Sequence, residues 1–407
     1  MQALHNVSVV DLTFMAPGAY CTMILSDLGA EVIKVEAPRG IGLDMVGSGK
    51  SPDREDEKGR RSAAFYAPNR GKKSIVLNLK TEEGLDIFKR IANVADVIVE
   101  GFRPGVMTRL GADYESLAKT NPRIIYCSIS GYGQTGPHKG LPGHDVNYIA
   151  KSGILDMIGR PEGPPEIPLN LVGDFAGGSL FAAIGILTAL FVREKTGRGQ
   201  YVDASITDGA VSLLTWQASL CFAGQKGLRR GSTALAGGYP YYGVYATSDN
   251  RYISIGCIEP RFWQRLCHVL GKEEYTEHVF TASHFVDPAD DPKWSEMKRS
   301  LGIIFRTRTS DEWFESLTKA DVPVSKVNSI EELADDEQLN QREMVVRLDH
   351  PQYGRVVQIG NPLKLSETPP GVLGFSPFLG EHSDELLGRL GFTSEEVQRF
   401  RDKGAVA

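Results

Sequence analysis

The chain has 407 residues, more than one hydrophobic core usually serves, so two domains are expected. Its formal net charge is −6 with no basic block, which argues against nucleic acid as a partner. The opening residues MQALHNV lack the basic and apolar regions of a signal peptide. Five cysteines without Cys-x-x-Cys spacing fit reduced, mostly buried thiols in a cytoplasmic setting rather than a disulfide frame or a zinc site.

Residues 7–12 carry an apolar strand pattern that breaks at Pro17-Gly18. A helix is expected over 19–28, with Gly29 where a C-cap belongs, and 31–36 is the next strand. Such a strand–helix–strand opening marks a parallel sheet. The charged, aperiodic segment 51–61 reads as a solvated loop. Strands at 74–79, 96–100 and 123–128 alternate with helices at 82–92 and 114–119, which gives a doubly wound α/β sheet. One further helix is expected at 208–222. Composition changes after Gly224: a loop at 225–231 precedes strands at 244–246 and 252–255 and helices near 261–270, 294–305 and 310–320. The expected organisation is a large α/β domain over 1–224 and a small α+β domain over 225–330. A C-terminal segment, 331–407, then returns to the large domain, with a helix at 331–335 and strands near 344–348 and 355–359.

The stretch NLVGDFAGG (170–178) is followed by an apolar run, 180–192. That run is apolar on every face, so as a helix it is expected to be buried all round. It falls short of the roughly 20 residues a bilayer needs, so no membrane partner is expected. Asp174 stands at its mouth, and two readings are open for it: a cap on the first turn, or a half-buried carboxylate placed for chemistry.

Three further features bear on chemistry. GYGQTG (131–136) follows a strand and matches the dinucleotide fingerprint in letters only, since Pro137, Gly140, Pro142 and Gly143 prevent the helix that motif requires. A glycine-rich loop at a strand's C-terminal end can still admit a ligand's backbone or phosphate. GHDVNY (143–148) gathers polar groups at the start of an apolar helix; taken alone, His144 reads as a cap or a core histidine. Glu259 closes an apolar strand and, alone, reads as a strand-end carboxylate facing solvent.

Together these motifs resemble a known pattern. VVDLT (9–13), DLGAEVIKVE (27–36), EGFRPG (100–105), SGYGQTGP (130–137) and TGRGQ (196–200) resemble the class III CoA-transferase family (CaiB/BaiF type). GHDVNY (143–148), NLVGDFAGG (170–178) and IEP (258–260) look like that family's α-methylacyl-CoA racemase branch. The resemblance implies an acyl-CoA substrate, no metal and no cofactor other than the CoA that enters with the substrate. It also implies an interlocked homodimer. By position it implies that His144 and Asp174 are acid/base residues and that Glu259 supports the histidine. Leu77, Asn78, Leu79, Lys80, Gly101, Phe102, Arg103 and Arg109 match segments that contact CoA. Gly143, Asp145, Val146, Asn147 and Tyr148 match the lining of the thioester end. The family often has Arg before the proline at Pro38; here that residue is Ala37, and Arg39 is the nearest substitute.

Inverting a carbon beside a thioester requires removal of a weakly acidic proton from one face and delivery to the other, so two acid/base groups must flank it. Burial is expected to bring Asp174, and a nearby Glu259 to bring His144, toward working pH. Backbone N–H groups near Gly177-Gly178 are the expected donors to the enolate oxygen, and Arg103, Arg109 and Lys80 the groups that meet CoA phosphates. The leading expectation is a racemase or epimerase. The alternatives are a CoA-transferase with Asp174 as nucleophile, and an inert acyl-CoA binding protein on the same fold.

Overall fold

The computed structural model describes residues 1–14, 16–38, 66–226 and 228–407. The expected loop at 51–61 and Arg39 lie outside the described residues. The described chain divides into two compact units, Met1–Tyr148 with Asn170–Ser212 and Ala334–Ala407, and Ile149–Leu169 with Leu213–Leu333.

The first unit is built on a six-stranded sheet of order β3-β2-β1-β4-β5-β6, every pair parallel. The strands are β1 (Ser8–Leu12), β2 (Glu31–Glu36), β3 (Lys72–Val76), β4 (Val97–Glu100), β5 (Ile125–Ser130) and β6 (Tyr201–Ser205). Both faces are covered, which is why the strands read as nearly continuous apolar runs. On one face Val10, Ile33, Ile75 and Ile98 meet Ile87, Phe88 and Ile91 of α2 (Glu82–Val94), with Leu386, Leu387, Val397 and Phe400 from the C-terminal helices Ser383–Arg389 and Ser394–Asp402. On the other face Val9, Val32, Val97 and Cys127 meet Cys21 and Leu25 of α1 (Ala16–Asp27), with Ala182, Ile186 and Ala189 further along the chain. The order reverses between β1 and β4, so the crevice that open sheets offer to ligands lies beyond Leu12 and Glu100.

Two buried ion pairs fix α1 at its ends. Lys72 Nζ lies 2.9 Å from Asp11 Oδ2, with neither side chain exposed. Asp11 also accepts the Thr13 N–H at 2.8 Å, the Thr13 hydroxyl at 2.6 Å and the Thr22 hydroxyl at 2.6 Å, while Lys72 donates to Ala19 O at 3.1 Å. Burial alone would lift the Asp11 carboxyl; the ammonium groups of Lys72 and Lys34 and the threonine hydroxyls reverse that and hold it well below the usual carboxylate range. At the other end Arg70 grips Asp27 at 3.0 and 2.6 Å, and Asn361 donates to the same carboxylate at 3.2 Å.

The second unit carries an antiparallel sheet, β7 (Tyr242–Ala246), β8 (Tyr252–Gly256) and β9 (Val324–Lys326). Its core is aromatic, with Trp263, Trp313, Phe305, Tyr239 and Tyr241 buried among helices Pro260–Leu270, Pro292–Phe305 and Ser310–Lys319. Strand β9 is absent from the sequence reading; three residues bounded by Pro323 and Val327 are too few to show alternation.

Two expectations need correction. The helix expected at 208–222 is two helices, α5 (Ile206–Leu213) and α6 (Thr215–Phe222), and the chain passes from one unit to the other at the break between them. The apolar run is not buried all round. It belongs to a continuous helical segment, Leu171–Thr196, which is long and apolar enough to cross a membrane by length and composition alone. In α4 (Phe181–Thr196), Ala182, Ala183, Ile186 and Ala189 are buried, whereas Phe181, Ile184, Phe191 and Val192 are exposed. Periodicity shows that a face is apolar, not what covers it.

Replacing Lys72 by Met leaves Asp11 buried with its hydroxyl partners and the Lys34 ammonium but no bonded cation, and loss of one buried partner costs about 3–5 kcal/mol. Urea unfolding is expected to show that loss for K72M. The loss in the D11N/K72M double variant is expected to be smaller than the sum of the single losses.

Candidate active site

The segments singled out around the ligand crevice gather on the first unit. Gly101–Arg103 follow the C-terminal end of β4 at the switch point. Leu77–Lys80 follow β3. Leu77 is itself a core residue, 1% exposed, and pairs with Val406; the Asn78 N–H donates to Ala405 O at 2.9 Å and its amide to Gly404 O at 3.2 Å. The carboxyl-terminal residues thus fix the position of this turn. Lys80, Arg103 and Arg109 are exposed and take part in no ion pair among the described residues. Three exposed cations without carboxylate partners suit phosphate groups.

Beyond β5 the chain makes the GYGQTG turn, with Gly133 and Gly136 at φ of +82° and +81°. No helix begins until α3 (Asp145–Ser152), as the prolines and glycines required. The glycines at both ends of this loop make room for a side chain of the protein itself. A Cβ added at Gly131 would lie 2.2 Å from the Tyr148 ring, and one at Gly143 would lie 2.7 Å from it. The Tyr148 hydroxyl donates to Gly143 O, and its ring meets Tyr132 edge-on at 5.2 Å.

His144 is exposed, immediately before α3. Its N–H donates to Asn147 Oδ1 at 3.0 Å, and its carbonyl accepts the Asn147 N–H at 2.8 Å. These bonds hold the backbone at the helix entrance and leave the imidazole out of the capping arrangement. Because the first N–H groups of any helix lack intrahelical acceptors, those of Asp145 and Val146 point to the open end of α3.

Asp174 lies in a helix of unusual pitch. Residues Leu171–Leu180 form a wide helix with i→i+5 bonds, which runs directly into α4. Asn170, not Asp174, occupies the N-cap position, so capping does not account for the carboxylate. Asp174 Oδ2 accepts from Asn170 Nδ2 at 3.2 Å, and its backbone N–H donates to Asp145 Oδ1 at 2.7 Å. Burial lifts the Asp174 carboxyl above its ordinary range; the Asn170 amide opposes that, the Asp145 charge adds to it and a charged His144 opposes it. His144 and Asp174 are therefore electrostatic neighbours within one unit.

Gly177 and Gly178 were expected to offer enolate donors. Both are buried within the wide helix, where they allow close packing. A Cβ on Gly209 of α5 would stand 2.0 Å from Gly177 O, so the two helices touch backbone to backbone. The wide helix also rests on α1: the Ser179 hydroxyl donates to Pro17 O at 2.6 Å, and Phe175 meets the Tyr20 ring edge-on at 4.9 Å.

Glu259 lies in the second unit, exposed at the N-cap of Pro260–Leu270 without a side-chain capping bond.

In the sequence reading Glu100 is only a strand end and the first residue of EGFRPG, with no role of its own. It is 5% exposed, accepts the Phe102 N–H at 2.7 Å and lines a cavity of about 270 Å³ with Arg103, Tyr114, Ser128, Gln134 and Tyr201. Burial pushes its carboxyl from 4.5 up to about 7, against the Ser128 and Phe102 hydrogen bonds. The available signal was a lone acid ending the apolar run VIVE (97–100).

Several known proteins are similar to this chain over most of its length. A model of "CoA-transferase family III" matches residues 4–383. Human alpha-methylacyl-CoA racemase is 35% identical over 402 residues, covering 98% of this chain and 96% of that protein. The acetyl-CoA:oxalate CoA-transferase of Acetobacter aceti is 37% identical over 365 residues, covering 88% of each. A CaiB/BaiF family protein from Brucella suis has a crystal structure that superposes with a TM-score of 0.78 at 31% identity, covering 96% of this chain and 99% of that one.

The raised Glu100 carboxyl gives a pH prediction. A buried acid whose folded value exceeds its unfolded value leaves stability intact below the unfolded value and removes it as pH rises through the folded one. Wild-type stability is thus expected to fall between pH 4.5 and 7 relative to Glu100→Gln, which still accepts the Phe102 N–H. The difference at pH 8 is expected to be about 2–3 kcal/mol. Denaturant unfolding of both proteins from pH 4.5 to 8 measures it.

Proposed function

The chain belongs to CoA-transferase family III, and on that premise we propose that it inverts the α-carbon of 2-methylacyl-CoA thioesters. The proton leaves one face and returns to the other through an enolate, with His144 and Asp174 as the two acid/base groups. The observation that carries this reading is their pairing: a half-buried carboxyl lifted out of its ordinary range, electrostatically coupled to a histidine that the helix entrance leaves free. The 35% identity to human alpha-methylacyl-CoA racemase over nearly the whole chain is in keeping with it.

In this reading the N–H groups at the open end of α3 take the enolate oxygen in place of those at Gly177 and Gly178. Lys80, Arg103 and Arg109 meet the phosphates of CoA, and Leu79, Gly101 and Phe102 border its path. Gly143, Val146, Asn147 and Tyr148 border the thioester. Glu259 is assigned the support of His144. CoA arrives with the substrate, so the reaction invokes no metal and no other cofactor.

A homodimer is part of the proposal. Phe181, Ile184, Phe191 and Val192 fall within about 120° of one face of α4 by helix geometry, and all four are exposed. A continuous apolar stripe of this kind is a surface for association. An Ile184→Glu change is expected to convert a dimer to a monomer in analytical ultracentrifugation at micromolar concentration.

A second reading is favoured by the 37% identity to an acetyl-CoA:oxalate CoA-transferase. There Asp174 attacks the thioester carbonyl and expels CoA thiolate to give a mixed anhydride. The thiolate then attacks the aspartyl carbonyl, which releases the acyl carboxylate and leaves an enzyme-bound CoA thioester. Incubation of a chiral 2-methylacyl-CoA in deuterated water separates the readings. Racemisation places deuterium at C2 and erodes optical purity, and His144→Ala and Asp174→Asn are each expected to slow exchange by about 10²–10⁴-fold. Absence of exchange with every branched acyl-CoA tried, together with hydroxylamine trapping at Asp174, would replace the first reading with the second.

A further inference from the structure

Asp145 stands where the first turn of α3 meets the wide helix. It is 6% exposed. One carboxylate oxygen, Oδ1, accepts the Asp174 N–H at 2.7 Å. The other, Oδ2, is buried and has no hydrogen-bond donor among the described residues. Native proteins retain few such atoms, because each gives up its hydration without a compensating bond. Holding the Asp174 N–H does not require that cost, because an asparagine would accept the same bond without a stranded charge.

The surroundings of Asp174 make the charge consequential. The groups that face it are His144 and Tyr148 from the α3 region, Asn170 ahead of the wide helix and Asp145 itself. Arg103 from the turn after β4 and Tyr132 from the loop after β5 act on neighbouring Tyr148, and Tyr20 of α1 packs on Phe175 next in sequence. Among these groups Asp145 is the second carboxylate.

We propose that Asp145 is a positioning residue for Asp174. One of its oxygens fixes the turn of the wide helix that presents the Asp174 side chain. The other holds a dry negative charge against the Asp174 carboxyl, which makes that carboxyl a stronger base than an ordinary aspartate. The inference rests on the reading of Asp174 as the reacting carboxylate and extends it by naming a charge that adds to the effect of burial on its basicity. It holds for either of the two reactions above.

The test is Asp145→Asn in the full-length protein. Carbodiimide couples an amine to protonated carboxyls, so the pH midpoint of Asp174 labelling, read by peptide mass spectrometry, follows that carboxyl without any catalytic assay. Removal of a nearby negative charge makes the neutral form of Asp174 less favoured, so the midpoint is expected to fall by about half a pH unit or more in D145N. The acid limb of kcat/KM for the CoA-thioester reaction is expected to move down with it. Asp145→Ala, which also removes the acceptor, is expected to lose a further tenfold or so in kcat. Should D145N not fold, Asp145→Ser, with a hydroxyl acceptor and no charge, takes its place. An unchanged midpoint in a folded variant overturns the inference, even if kcat falls, because that result describes a purely structural residue. If the wild-type protein exchanges no C2 proton, the racemase reading fails, while the labelling midpoint still decides the role of Asp145.

Discussion

Lys72 and Asp11 meet at 2.9 Å with neither side chain exposed, and the geometry of the site descends from that contact. The pair joins β3 to β1 and, through Thr22 and the Ala19 carbonyl, holds the entrance of α1 against the sheet. The wide helix then lies on α1 through Ser179 and Phe175, and Asp174 rides on the wide helix. Two charges out of water are seldom a source of net stability over an apolar pair of similar size. Their value here is directional. An apolar contact would tolerate a slide of α1 along the sheet, whereas a lysine shared among a carboxylate, a hydroxyl and a carbonyl defines one position.

The frame of the molecule was legible because its signals are local. Alternating strand and helix patterns from Val7 to Ser128 sufficed for a parallel sheet, and proline and glycine after GYGQTG sufficed to reject a nucleotide-binding helix. The motifs led to His144 and Asp174, and the fold brings both to one unit with the cationic turns at Lys80 and Arg103. What was not legible depends on partners distant in sequence. Gly177 reads as a loop or donor residue until Gly209 is seen against it. Glu100 reads as the end of a strand until its burial is known. The apolar run at 180–192 looks uniformly interior because its composition carries no mark of which neighbour is missing. The break at Leu214 went unseen because nothing in LLTWQ (213–217) is a helix breaker.

The site also shows how two functional demands share one backbone. Asp174 has its N–H committed to Asp145 and its side chain to Asn170, so main chain and carboxylate are fixed by separate partners. His144 is treated the opposite way: Asn147 restrains its backbone while the imidazole remains at the exposed mouth of α3. The carboxylate is thus held through main chain and side chain alike, whereas the histidine is restrained only through its backbone.

The wide helix has a consequence for how this segment can change over time. A rod that passes from i→i+5 to i→i+4 bonding closes each hydrogen-bonded ring of its first part around one more residue than the same rod wound uniformly. Loss of a single codon between Leu171 and Leu180 would let the segment relax into ordinary α-helix. The residues ahead of the deletion would then take a different angle about the axis, and a different height along it, relative to α4. Such a change preserves composition, hydropathy and helical content, yet turns Asp174 away from Asp145 and His144. The placement of Asp174 therefore depends more on the length of this segment than on the identity of its apolar side chains.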